Sequence, residues 1–146
     1  NRNHSLDVYS RTIKYRRPIM TAEKEIKLAE LKAKIYNFQF IDLQANDVHE
    51  HPTLTNVEIS QKICELIFEL TEVDYIFPVV FDMGNIQLDF ELHNAEWEIE
   101  IHPNSMIEIL QEPVDKDSEQ MPIVFQIDSF GNIATIEHFL TTPQFS

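Results

Sequence analysis

Cysteine, glycine and tryptophan are scarce in this sequence: its 146 residues include one Cys, two Gly and one Trp. A single cysteine, Cys64, excludes an internal disulfide framework and is typical of a reducing compartment, so we expect a cytoplasmic protein. The two glycines, Gly84 and Gly131, lie far apart, which excludes a glycine-rich phosphate loop. No stretch approaches the roughly 18 apolar residues of a membrane span, so we expect no membrane partner.

Positive charge is nearly absent outside the N-terminal part. Residues 1–34 contain nine Lys/Arg and four Asp/Glu, a net charge of +5, whereas residues 35–146 contain two Lys/Arg and 21 Asp/Glu, a net charge of −19. Such an acidic body repels nucleic-acid phosphates and attracts basic proteins. We therefore expect a protein partner that is basic or itself binds nucleic acid, and no direct contact with nucleic acid. The sequence leaves the oligomeric state open.

The length is that of one ordinary domain. We interpret residues 1–20 as a basic N-terminal arm, because they lack periodicity and Pro18 marks a break. The run at residues 11–17 is expected to pack on the acidic body or on a partner. Residues 21–146 are predicted to form a single acidic α+β domain, with a helical part at 21–72 and a sheet part at 75–140. The chain begins without Met, which is compatible with a fragment, a processed product or part of a longer protein.

Two amphipathic helices are predicted in the helical part. In the first, Thr21 is the N-cap and apolar residues recur at helical spacing until the helix ends near Tyr36. In the second, Thr55 to Glu58 have the spacing of a capping box, and an apolar stripe from Ile59 leads to an end near Thr71.

From Tyr75 onward the apolar period changes to two, which indicates strands. Pro78 marks the first strand as an edge, and residues 133–139 are predicted to pair with the strand at 122–130 as a hairpin. The expected fold is α+β, with two main helices packed on one face of an antiparallel meander of about five or six strands. The predicted core consists of Leu31, Ile59, Ile63, Leu66, Ile67, Leu70, Leu88, Phe90, Trp97, Ile99 and Ile101.

One hairpin, centred on Asn94-Ala95, separates apolar from acidic side chains. This turn would place Glu91 opposite Glu98 and Asp89 opposite Glu100, while the apolar side chains cover the helices. Like charges directly opposite each other are unfavourable, and no lysine lies between Lys62 and Lys116 to relieve them. The candidate partner-binding residues are Asp89, Glu91, Glu96, Glu98, Glu100 and Glu108. Three interpretations stay open: a docking surface for a basic partner, a solvated or anti-stacking sheet face, and a cation-binding face.

We assign no catalytic or metal-binding role to the cysteine or to His49 and His51. Cys64 lies on the second amphipathic helix, has no basic neighbour in sequence other than Lys62, and is expected to be a buried, inert thiol. His49 and His51 resemble half of a metal clip, but no second ligand pair has a matching spacing. We therefore predict no catalytic residue, no metal ligand and no cofactor.

Residues 28–110 resemble a family of small uncharacterised bacterial proteins. Its strand pair reads P-x-V-x-x-x-x-x-G-x-I-Q-L-E-W followed by L-E-I-E-I, and the matching segments here are residues 77–79, 84–90 and 97–101. The sequence departs from the pattern at Phe90, where the family has Trp, and lacks a Gly-Trp-Asp-like loop near residues 37–46. The resemblance implies no reaction or catalytic residue, and it implies an association with defence or toxin-type loci.

Three functional hypotheses follow. The first is a non-catalytic accessory or inhibitory subunit of a bacterial defence or toxin-type assembly, which contacts a basic partner through its acidic sheet face. The second is a structural or scaffold domain of a larger polypeptide or complex. The third is an enzyme with a dispersed site.

Overall fold

The computed structural model describes residues 20–128 and 133–145. The predicted N-terminal arm therefore lies outside the described residues, apart from Met20. In chain order the elements are helix α1 (Ala22–Asn37), a 3-10 turn (Phe38–Phe40), helix α2 (Leu54–Leu70), strands β1 (Phe77–Phe81), β2 (Asn85–Leu92), β3 (Ala95–Ile101), β4 (Met106–Pro113) and β5 (Ile123–Asp128), and helix α3 (Ile133–Thr141). The five strands form one antiparallel sheet in the order β1-β2-β3-β4-β5, which confirms the predicted α+β meander.

Helix α1 has the predicted cap and length. The Thr21 side-chain oxygen accepts a hydrogen bond from the backbone N–H of Lys24 at 3.1 Å. Glu23 and Glu25 lie in the first turn, where carboxylates interact favourably with the positive end of the helix dipole. The helix packs antiparallel to α2, because Lys24 Nζ donates to the Thr71 carbonyl at 2.7 Å near the other helix's C-terminal end.

The predicted cap of α2 is wrong by two residues. Thr53, not Thr55, is the N-cap, and its side-chain oxygen accepts the Asn56 N–H at 3.1 Å. The earlier threonine follows Pro52 and has the extended backbone that an N-cap needs, whereas Thr55 already lies in the first helical turn. The predicted end near Thr71 is confirmed, because that residue is the C-cap.

Residues 133–139 are helical, so the predicted sixth strand is wrong. Ile133, Ile136 and Leu140 follow a helical spacing, and the latter two are fully buried. The short apolar segment also fits a strand, which is why periodicity alone misassigned it. Tertiary contacts favour the helix: the Phe139 ring packs on Phe125 of β5 with centroids 4.8 Å apart, and the Leu140 carbonyl is 2.9 Å from the His93 ring.

The core lies between the sheet and the helices, and α2 contacts β2 and β3 directly. Nine of the eleven predicted core residues are buried, and Ile59 and Leu70 are partly buried against the same cluster. Pro78 lies in an edge strand as predicted. Gly84 has φ +89° in the β1–β2 turn, and a Cβ there would lie 2.8 Å from the His51 carbonyl oxygen, so this position requires glycine. Among the described residues, no helix is both long and apolar enough to cross a membrane.

Candidate functional site: an acidic sheet face

The β2–β3 turn consists of His93 and Asn94, one residue earlier than predicted. Both have positive φ, 54° and 60°, as a two-residue type I′ hairpin requires, and asparagine tolerates this conformation well. The register that follows pairs Asp89 with Glu98 and Glu91 with Glu96, so the predicted pairs Glu91/Glu98 and Asp89/Glu100 are wrong. The observed register differs from the predicted one by two residues, which leaves every side chain on its predicted side of the sheet.

All six candidate residues lie on the side of the sheet opposite the core. We call this side the acidic face, and it also carries Glu112, which sequence reasoning did not assign. Its side chains form three rows across the strands. The rows are Val79-Gln87-Glu100-Glu108-Gln126, Phe77-Asp89-Glu98-Leu110-Val124 and Glu91-Glu96-Glu112. No described element covers these rows, and apolar side chains occur only at their ends and at Leu110.

Few cations offset the acidic face. Lys116 Nζ forms an ion pair with Glu96 Oε1 at 3.2 Å. Glu100 Oε2 lies 3.7 Å from the imidazole Nδ1 of His102, and the other side-chain contacts are with neutral amides, as when Gln87 Nε2 donates to Asp89 Oδ1 at 2.8 Å. Within the described parts of the chain, the side-chain carboxylates of Glu91 and Glu98 accept no hydrogen bond and form no ion pair. These carboxylates therefore keep most of their mutual repulsion.

Glu98 shows the effect of this crowding. Its pKa is raised, first because partial burial disfavours the charged form and then because Asp89, Glu112 and two further carboxylates lie close to it. Asp89 is directly opposite on β2, where like charges are least favourable. A cation that approached Glu98 would therefore relieve an existing repulsion.

At the hairpin end, the acidic face continues into an open groove of about 800 Å³. One wall is the hairpin and the adjoining strands, with Asp89, Glu91, Glu96 and Glu98. The opposite wall is the segment that connects α2 to β1. This segment adds Glu72, Asp74 and the ring of Tyr75, and the first residue of β1 adds the ring of Phe77; the two aromatic residues are 69% and 47% exposed. Sequence reasoning did not assign these four residues to the site.

Cations already approach this wall from α1. Lys34 Nζ lies 5.6 Å from the centre of the Phe77 ring, within the range of a cation–π contact. Lys27 Nζ pairs with Asp74 at 3.1 Å, and that hydrogen bond is the main cause of the raised pKa of Lys27. The groove therefore offers the two kinds of group, carboxylates and aromatic faces, that bind lysine and arginine side chains.

The other candidate residues have the following environments. Cys64 is fully buried, and burial raises the pKa of its thiol far above the usual value, as expected for an inert cysteine. His49 and His51 are exposed and do not converge: His49 lies 3.7 Å from Asp82, and His51 Nε2 lies 2.8 Å from the Ile41 carbonyl. One group of possible metal ligands occurs among the described residues, consisting of Glu100, His102 and Glu108.

No protein family model, curated protein or solved structure matches this chain.

Proposed function

We propose that this protein is a non-catalytic binding module whose acidic face receives a basic segment of a partner protein. The observation that carries the proposal is the groove at the hairpin end, where six carboxylates and two exposed aromatic rings face the same open space. Four of its six carboxylates, Glu72, Asp89, Glu91 and Glu98, form no ion pair among the described residues, whereas Asp74 and Glu96 pair with lysines.

Binding a basic segment is favourable for two reasons. Lysine and arginine side chains would relieve the repulsion within the Asp89/Glu98 and Glu91/Glu96 pairs, in which Glu96 alone has an ion-pair partner among the described residues. The rings of Tyr75 and Phe77 would add stacking and cation–π contacts, which suit arginine best. The negative electrostatic field of the acidic face also raises the rate of association with a basic partner, and added salt reduces this increase.

The resemblance to small bacterial proteins extends the proposal to a biological setting. In that setting the chain is an accessory or inhibitory subunit of a defence or toxin-type assembly, and its partner is basic and binds nucleic acid. The rows of carboxylates on this chain would then bind the partner's surface that otherwise contacts nucleic-acid phosphates. Pulldown from the native host tests this extension: a chain that returns alone at low salt contradicts it.

A scaffold role is the second candidate, and exposed apolar side chains on and just after α1 favour it. Ile26 and Tyr36 on α1, together with Phe40, are 61%, 47% and 68% exposed, and the Tyr36 and Phe40 rings pack edge to face. In this alternative the helices contact a larger assembly, and the acidic face serves only to keep the chain in solution. Ile26→Ser combined with Phe40→Ser would then abolish assembly, whereas neutralising the acidic face would not.

The direct test measures affinity for a defined peptide rich in Arg and Lys by isothermal titration calorimetry, at low and at high salt. The first variant neutralises the groove with Asp89→Asn, Glu91→Gln, Glu96→Gln and Glu98→Gln. We expect its affinity to fall by about tenfold or more and its salt dependence to flatten, since roughly 1.4 kcal/mol of lost attraction corresponds to tenfold.

A matched variant controls for net charge. It removes four negative charges outside the groove, by the substitutions Glu25→Gln, Glu30→Gln, Glu50→Gln and Glu58→Gln. We expect this variant to bind within about twofold of the wild type at moderate salt, because exposed charges more than a Debye length away are screened. Equal losses in the two variants, or no saturable binding by the wild type, would reject the acidic face as the docking surface.

A further inference from the structure

A histidine stands beside two opposed carboxylates at the other end of the acidic face. Glu100 and Glu108 are directly opposite each other on β3 and β4, and His102 follows Glu100 by two residues on the same side. One ligand atom from each of the three side chains lies within 4.8 Å of the other two. All three residues are half-buried, whereas Glu91, Glu96 and Glu98 at the hairpin end are exposed.

The backbone of His102 is fixed from both sides. Its N–H donates to the Met106 carbonyl at 2.9 Å, which closes the β3–β4 turn. Its carbonyl accepts a hydrogen bond from Asn56 Nδ2 at 2.7 Å, and Asn56 is a fully buried residue in the first turn of α2. These bonds fix the backbone of His102, and its ring nitrogen Nδ1 lies 3.7 Å from Glu100 Oε2 and 3.4 Å from Asn85 Nδ2.

Amide groups also orient the two carboxylates. Asn85, which is only 7% exposed, donates its Nδ2 to Glu100 Oε2 at 2.6 Å. On the far side, Gln126 Nε2 donates to Glu108 Oε2 at 3.0 Å. Each of these bonds engages one oxygen of its carboxylate and leaves the other for a further contact. Such outer hydrogen bonds are typical around metal ligands, because they set the direction of the lone pairs.

From this geometry we infer that Glu100, His102 and Glu108 bind one divalent transition-metal ion. Two carboxylates and an imidazole suit Zn²⁺ or Mn²⁺, whereas Ca²⁺ and Mg²⁺ prefer oxygen ligands alone. Ligand atoms around a tetrahedral Zn²⁺ are roughly 3.4 Å apart, for bonds of about 2.1 Å. Binding of the ion therefore requires side-chain rotations that shorten the present spacing of up to 4.8 Å between ligand atoms. Three protein ligands leave a fourth position for water or for a group from a partner.

This inference does not depend on the groove at the hairpin end, which shares no residue with the metal ligands, although Glu100 and Glu108 also belong to the acidic face. The test titrates chelator-treated, dialysed protein with Zn²⁺, and separately with Mn²⁺ and Ca²⁺, by isothermal titration calorimetry. We expect one saturable Zn²⁺ site per chain, with Ca²⁺ binding at least about tenfold more weakly. His102→Ala and Glu108→Gln should each raise the Zn²⁺ dissociation constant by at least about tenfold.

Two controls separate this site from general attraction to the acidic face. Glu91→Gln removes the same charge elsewhere on the face, and the double variant His49→Ala with His51→Ala removes the other nearby histidines; both should bind Zn²⁺ within about twofold of wild type. Because Glu108→Gln could lower stability, Mn²⁺ is also added to the wild type, and its paramagnetic broadening of ¹⁵N-amide signals should centre on residues 100–108. Absence of saturable Zn²⁺ binding, affinity unchanged in His102→Ala, or broadening centred elsewhere would overturn the inference.

Discussion

Replacing Glu98 by glutamine should stabilise the protein, although most surface substitutions have little effect. The substitution keeps the size of the side chain and removes one charge from the centre of the acidic face. Asp89 is directly opposite, and the other carboxylates that raise the Glu98 pKa lie in the adjoining rows. An unfavourable like-charge pair across two strands costs about 0.2–1 kcal/mol, so relief of the direct pair and its neighbours gives about 1 kcal/mol at low salt.

The pH dependence of this gain has a defined sign. Because the pKa of Glu98 is raised above its ordinary value of 4.5, the folded chain binds more protons than the unfolded chain between the two values. The stability contributed by this group therefore falls as pH rises through that interval. The gain from Glu98→Gln should be complete near pH 7 and should disappear well below the ordinary value of 4.5, where the carboxyl is neutral in both states.

Urea unfolding of the two proteins, at low salt and at about 1 M NaCl, provides the measurement. We expect an unchanged m-value and a higher midpoint, equivalent to a rise of roughly 3–5 °C in melting temperature. At about 1 M salt the Debye length is only about 3 Å and most of the gain should vanish. Glu30→Gln on α1 is the matched control and should change stability by less than about 0.5 kcal/mol. A neutral or destabilising Glu98→Gln at low salt would refute the claim that these carboxylates repel one another.

Three further predictions concern the helix cap and the buried polar groups. Thr53→Ala should lower the free energy of unfolding by about 1 kcal/mol, whereas Thr55→Ala should cost less than half as much; equal losses in urea unfolding would contradict the assigned cap. Gln111 is buried with no hydrogen-bond partner for its amide among the described residues, so Gln111→Met should raise the unfolding free energy by about 1–2 kcal/mol, and a loss would show that the amide is bonded. Cys64 should react with a thiol reagent such as DTNB only as fast as the chain unfolds, and rapid labelling in native buffer would contradict its burial.

The β2–β3 hairpin shows what alternation can and cannot predict. The two-residue period assigned each carboxylate to the correct side of the sheet. The pairing itself depended on which residues accept positive φ, and His93-Asn94 does so instead of Asn94-Ala95. A shift of two residues in register changes which residues are opposite each other but leaves every side chain on the same side of the sheet. The acidic face was therefore predictable, whereas its charge pairs were not.

Long-range neighbours were beyond prediction from the sequence. The groove depends on Tyr75 and Phe77 lying beside a hairpin that follows them in the chain, and nothing local indicates that proximity. Strand parity could have placed His102 on the side of Glu100, but its convergence with Glu108 required the β3–β4 register. The helix at residues 133–141 is a third case. Its nine residues are compatible both with the period of a helix and with that of a strand, and the packing of this segment on β5 favours the helix.

We expect a basic segment to dock in the groove between the β2–β3 hairpin and the segment after α2. Titration of ¹⁵N-labelled protein with the Arg- and Lys-rich peptide, followed by ¹H–¹⁵N correlation spectra, tests it most directly. We predict saturable shifts at Asp74 to Phe77, Asp89 to Glu91 and Glu96 to Glu98, and none with an acidic peptide of equal length. Shifts confined to α1 and α2, or no saturable shifts at low salt, would contradict it.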